Sequence, residues 1–90
     1  MKKSYHLTIK GKVQGVYYRD SMRQQAQHLN IRGWVKNLIN GDVSAVVTGE
    51  EDSLKKLIKW CKIGPKSARV EKIESEEISE QDFADFDIRY

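Results

Sequence analysis

The sequence predicts an α+β fold in which one sheet carries two helices, and three observations support it. Four segments read as strands, two carry apolar residues at helical spacing, and glycine or proline punctuates most of the boundaries between them. The order is strand, helix, strand, strand, helix, strand, with a short further strand at the C-terminus. Ninety residues make one domain, residues 1–90, large enough for a single core but not for two. With 39% apolar and 32% charged residues, the composition is that of a folded globular chain rather than a disordered one.

Tyr5, Leu7 and Ile9 alternate with His6, Thr8 and Lys10, the period of a half-buried strand. After the stretch GKVQGVYYR (residues 11–19), Tyr18, Met22, Ala26 and Leu29 fall on one helical face, leaving Arg23, Gln24, Gln27 and His28 to water. Asn30 closes this helix in the left-handed conformation. Gly33 opens a second strand over Trp34 to Ile39, and Asn40-Gly41 predicts a hairpin that returns Asp42 to Thr48 antiparallel to it. Gly49 ends that strand.

Glu50, Glu51 and Asp52 then place acids on a first helical turn, and Leu54, Leu57, Ile58 and Cys61 form its apolar stripe. Lys59 and Lys62 lie near the far end, so charges complement the helix dipole at both ends. Gly64-Pro65 stops the helix. The fourth strand, Ala68 to Ser75, has Val70 and Ile73 on opposite parities, which calls for a bulge or strong twist between them. Glu80 to Asp82 is a polar turn, and Phe86, Ile88 and Tyr90 alternate as the final strand. This element order is the split βαβ, or ferredoxin-like, sandwich, an antiparallel sheet with both helices on one face. Repeats, low-complexity tracts and linkers are absent from it.

No run approaches the roughly 18 apolar residues of a membrane span, and Met-Lys-Lys-Ser is followed by no apolar signal region, so a cytoplasmic protein without membrane partners is expected. The single cysteine, Cys61, has no second thiol for a disulfide, metal or redox motif, and reads as a core residue. Charge is divided unevenly. Residues 1–40 hold eight Lys/Arg against Asp20 alone, a net of +7, while residues 41–90 hold eight against twelve acids, a net of −4. The positive half contains the glycine loop, and its field would attract a small anion or a nucleic acid alike.

That loop has the outline of an anion cradle. Gly11 and Gly15 accept positive φ, so the N–H groups from Gln14 to Arg19 can converge on one point, joined by the unpaired amides and dipole of the following helix. Arg19 adds a planar, permanently charged fork suited to two phosphate oxygens. On spacing alone, the same residues also fit a tight strand-to-helix turn with a solvated arginine.

Taken with the stretch GWVKNLINGDVSAVVTG about fifteen residues later, GKVQGVYYR resembles the two signature stretches of the acylphosphatase family. The resemblance extends to the Gly64-Pro65 turn, the Ala68-x-Val70 strand and the Phe86-x-Ile88-x-Tyr90 ending, and so covers nearly the whole chain. Tyr18 stands where many members have phenylalanine, a change that keeps the aromatic ring. The resemblance implies hydrolysis of the carboxyl-phosphate bond of acyl phosphates without metal, cofactor or covalent intermediate. It implies that the loop Lys12 to Arg19 binds the phosphoryl group through the amides of Gln14, Gly15, Val16, Tyr17, Tyr18 and Arg19. The Arg19 side chain would be the essential charged contact, and Asn37 would orient the attacking water. Gly11, Gly15, Gly41 and Gly49 would hold the backbone pattern.

The chemistry agrees with that assignment. Phosphoryl transfer rests on positioning and charge stabilisation, and a carboxylate leaving group, with a parent acid of pKa about 4 to 5, needs no general acid. The chain accordingly need not hold a His/Asp couple, a nucleophilic cysteine or a metal cluster, and its sequence shows none. His6 and His28 are isolated and read as surface or packing residues, Lys12 as a surface charge or secondary phosphate attractor, and Trp34 and Trp60 as packing residues. The competing readings on this fold are an RNA-binding module and a noncatalytic ligand-sensing or metal-carrying domain, for which the missing paired cysteines exclude the usual thiolate metal site. The strand Asp42 to Thr48 carries Val, Ala and Ser where an RNA-binding sheet needs aromatics, so no nucleic-acid partner is expected. A monomer acting on a small acyl phosphate is the expectation.

Overall fold

A computed structural model describes residues 1–90. The strands are β1 (Lys2–Lys12), β2 (Arg32–Asn37), β3 (Val43–Glu50), β4 (Arg69–Ile78) and β5 (Phe86–Arg89), and the helices α1 (Tyr18–His28) and α2 (Glu51–Ile63). They form one five-stranded sheet in the order β4-β1-β3-β2-β5. The ferredoxin-like sandwich expected from the element order is the observed one.

The core lies between the sheet and the helices. Leu7 and Ile9 of β1, Val35 of β2, and Val43, Ala45 and Val47 of β3 share one parity and meet Met22 and Ala26 of α1 and Leu54, Leu57 and Cys61 of α2 in a single buried cluster. Burying each large apolar side chain contributes about 1.5–3 kcal/mol, which is what holds two short helices on this face. The opposite parity builds the uncovered face of the sheet, where polar groups pair with one another. Ser4 Oγ meets Thr48 Oγ1 at 2.5 Å, and His6 Nε2 meets Ser44 Oγ at 2.9 Å. No helix is long and apolar enough to cross a membrane.

β4 carries the expected bulge. Lys10 pairs with Lys72 but Gly11 pairs with Val70, leaving Glu71 as the extra residue and returning Val70 and Ile73 to one side. Gly11 is confined to this task. At φ +128° a Cβ there would stand 2.2 Å from the Arg69 carbonyl oxygen, so the residue serves strand contact rather than ligand approach.

Three expectations need correction. β2 ends at Asn37, not Ile39, because the hairpin closes through Ile39-Asn40-Gly41: Gly41 N–H donates to Leu38 O at 3.2 Å and Leu38 N–H to Asp42 O at 2.8 Å. Only Gly41 has positive φ in this loop, at +98°, so it is a type I turn followed by a left-handed glycine, not a two-residue turn. β3 runs through Gly49 to Glu50, and α2 starts one residue later than the acids suggested. Finally, the sheet is mixed. β5 pairs parallel with β2, Gly33 opposite Phe86 and Val35 opposite Ile88, because the chain crosses from β4 on one edge to the far edge before adding it.

Candidate active site

β1 leaves the sheet at Lys12, and the chain reaches α1 through residues 13–17. Gly15 takes φ +73° with open space around it, and Tyr17, the residue before the helix, is held in the left-handed region at φ +62°. That conformation costs a non-glycine residue of order 1 kcal/mol or more, and such strain is characteristic of functional loops. Its result is a row of free donors. No N–H from Gly15 to Arg19 donates to an acceptor elsewhere in the protein, and the first helical bond is Ser21 N–H to Tyr17 O at 3.1 Å. Five consecutive backbone donors, Gly15 to Arg19, therefore lie unpaired at the N-terminus of an eleven-residue helix, and four of these residues border one space.

That space is a cavity of about 350 Å³ lined by Val13, Gly15, Tyr17, Tyr18, Arg19, Asp20, Asn37, Ile88 and Tyr90. Arg19, in the first turn of α1, is steadied by β5: its Nη1 donates to the Arg89 carbonyl at 3.2 Å, and its guanidinium carbon lies 4.9 Å from the centre of the Tyr90 ring. Asn37 enters from the last position of β2. Its side-chain oxygen is buried and has no hydrogen-bond partner. A buried acceptor left unpaired costs about 1–3 kcal/mol, a cost that marks the position as one kept for something other than stability.

Gln14 and Val16 are arranged differently from their neighbours. The Gln14 side chain reaches across to the β2–β3 hairpin, where Nε2 donates to the carbonyls of Leu38 at 2.7 Å and Asp42 at 2.9 Å. Val16 is 5% exposed and packs in the core. Neither lines the cavity, so each could meet a ligand only through its backbone. Arg19 and Asn37, 18 residues apart in sequence, do line one cavity, together with Gly15, Tyr17 and Tyr18. Reasoning from the sequence missed Val13, Asp20, Ile88 and Tyr90. The alternation Phe86-x-Ile88-x-Tyr90 was visible, but its placement beside β2 was not. No three His, Cys, Asp or Glu side chains gather anywhere in the fold in an arrangement that could hold a metal ion.

Residues 5–88 match the family model for acylphosphatase. The chain belongs to the acylphosphatase family. An acylphosphatase of Coxiella burnetii is 48% identical over 84 residues, covering 93% of this chain and 88% of the relative. The solved structure of an acylphosphatase from Coxiella burnetii superposes with a TM-score of 0.95 at 45% identity, over 98% of this chain and 93% of that one. The acylphosphatase of Bacillus subtilis also reaches 0.95, at 31% identity and with both chains covered in full. This acylphosphatase-family chain is thus an enzyme of a hydrolase family, and the relationship supports hydrolysis of acyl phosphates.

Proposed function

We propose that the chain hydrolyses acyl phosphates by binding the phosphoryl group between the amides of the Lys12 to Arg19 loop and the Arg19 guanidinium, with water directed by Asn37. The observation that supports the reading is that Gly15, Tyr17, Tyr18 and Arg19, whose backbone N–H groups have no partner in the protein, line one cavity together with Asn37. Donors fixed before the reaction stabilise charge that grows on the phosphoryl oxygens without reorganising during it.

In the proposed step, water oxygen attacks phosphorus as the bond from phosphorus to the acyl oxygen breaks. The electron pair of that bond leaves on the carboxylate. Asn37 is neutral and takes no proton, so the proton of the attacking water passes to a phosphoryl oxygen or to solvent, and the products are a carboxylate and inorganic phosphate. Asn37 ends β2 and lines the cavity, so its neutral carboxamide is placed to hold a water by hydrogen bonds. The positive charge required at the phosphoryl group is supplied by the loop and Arg19, so the reaction is proposed to proceed without a divalent metal.

The test is turnover of benzoyl phosphate by purified protein in EDTA. Steady release of benzoate and phosphate is expected. A strict requirement for an added divalent metal would overturn the loop-and-arginine mechanism.

A further inference from the structure

Gln14 precedes Gly15, the first free donor of the loop, and Leu38 follows Asn37. The Gln14 side chain spans the gap between these two neighbours, with Nε2 donating to the carbonyls of Leu38 at 2.7 Å and Asp42 at 2.9 Å. Both hydrogens of the amide are thus used. Its orientation follows from its surroundings, because a carboxamide turned over would set its oxygen against two carbonyl oxygens.

These bonds stand where the sheet gives no support. The β1–β3 ladder ends at Ile9 opposite Val43, and the β2–β3 ladder ends at Asn37 opposite the same residue. Beyond that row the loop and the hairpin leave the sheet separately. The two bonds of Gln14 are the only hydrogen bonds between residues 13–19 and residues 37–42.

Neither side needs Gln14 in order to form. Within the hairpin, Gly41 N–H already donates to the Leu38 carbonyl and Leu38 N–H to that of Asp42, while Asn40 Oδ1 accepts from Asp42 N–H at 3.0 Å. The loop is held independently by Val13 and Val16, which are buried in the core on either flank of Gln14 and Gly15. What remains for Gln14 to fix is the position of one side against the other, and it does so through the peptide that follows Asn37.

Resting on the proposed function, we propose that Gln14 is a positioning residue that sets Asn37 against the loop amides, so that a water held by the carboxamide faces the bound phosphoryl group. The Gln14 side chain touches neither substrate nor water in this role. Misplacing a reacting group by about 1 Å can cost about 10²-fold in rate, so a clamp at this point acts on catalysis more than on the fold.

The experiment places Gln14→Met, which keeps the length of the side chain and removes both donors, in the native chain and in Asn37→Ala. In the native chain it should lower kcat for benzoyl phosphate by about tenfold, with KM and the inhibition constant of inorganic phosphate changed by less than about threefold, because the phosphoryl-binding amides stay in place. In Asn37→Ala the same substitution should change kcat by less than about twofold, since no carboxamide is left to misplace. Gln14→Glu gives a second readout. Its ionised carboxylate opposes the two carbonyls, whereas the protonated acid regains one donor, so its kcat relative to the native enzyme should rise as pH falls from about 7 toward about 4.5. Circular dichroism checks that each variant folds, as the hairpin's own bonds lead us to expect. An equal loss in both backgrounds overturns the proposal, as does native kcat in Gln14→Met, a loss confined to KM and phosphate inhibition, or a flat ratio in Gln14→Glu. A native chain that fails to turn over benzoyl phosphate would instead sink the proposed function, and this role of Gln14 with it.

Discussion

The hydroxyl of Tyr18 donates to the carbonyl of Cys61 at 2.7 Å, and the reason lies four residues further on, at Pro65. A helical carbonyl ordinarily accepts from the N–H four residues ahead, which proline lacks. Tyr18 supplies the missing donor from the other helix. Gly64 allows the approach, since a Cβ there would stand 2.9 Å from the Tyr18 ring. Trp60 packs against the same ring with centroids 5.5 Å apart. The first turn of α1, where Arg19 and the free amides sit, is thereby anchored to the end of α2.

Tyr18→Phe keeps the ring and removes the donor, leaving a buried carbonyl unpaired. We expect a loss of about 1–2 kcal/mol, seen in urea unfolding as a lower midpoint with an unchanged slope. In a domain of this size each kcal/mol lowers Tm by about 4–8 °C. A variant as stable as the parent would show that the Cys61 carbonyl is satisfied in another way.

Alkaline stability should expose the same pair. Burial pushes the Cys61 thiol up from 9.0 to about 12, against a smaller opposing effect of the hydrogen bond with Tyr18. Burial, with Cys61 beside it, raises the Tyr18 hydroxyl well above its ordinary 10.0. Above pH 9 the unfolded chain therefore gives up protons that the native state keeps, and the unfolded state gains. The stability these groups contribute is complete below about pH 9 and declines as pH rises through 12, by up to about 1.4 kcal/mol per pH unit for each proton at issue. Denaturation curves between pH 8 and 11 should show this decline, and Cys61→Ala and Tyr18→Phe should each make it shallower. An equally steep decline in the double variant would assign it to other groups.

Arg19→Ala should fold and lose at least about 10²–10³ of kcat/KM for benzoyl phosphate, the scale of one lost transition-state contact. Arg19→Lys restores a charge without the fork and should recover only part of the rate. Near-native turnover in either variant would remove Arg19 from the mechanism.

Asn37→Ala separates activity from stability. Directing water affects kcat more than KM, so kcat should fall by at least about tenfold with KM changed less. Removal of an unpaired buried oxygen should leave the unfolding midpoint level or raise it. A change confined to KM would contradict the water-directing role, and a large loss of stability would contradict the orphan status of the oxygen.

Local chemistry made much of the fold legible. Period-two alternation in β1, the stripe from Leu54 to Cys61, Asn30 at φ +59° and the mismatch of Val70 and Ile73 each have a cause within a few residues, and each appears as expected. What escaped depends on distant partners. No neighbour of Phe86 states that it will lie parallel to Gly33 on the opposite edge from β4, and so nothing local placed Ile88 and Tyr90 in the cavity. Ile39 was read as a strand residue because it is apolar, whereas the Leu38 and Gly41 hydrogen bonds lift it out of the sheet. Gln14 gave no signal for its clamp, which depends on carbonyls more than twenty residues away.

The placement of β5 ties catalysis to one thin edge of the sheet. Its four residues give Arg19 a carbonyl, the adjacent Tyr90 gives it a ring, and Ile88 and Tyr90 form one wall of the cavity. Loss of that edge alone would strip Arg19 of both supports while β4, β1, β3 and β2 stayed paired. Activity should therefore fail at a lower denaturant concentration than the fold does.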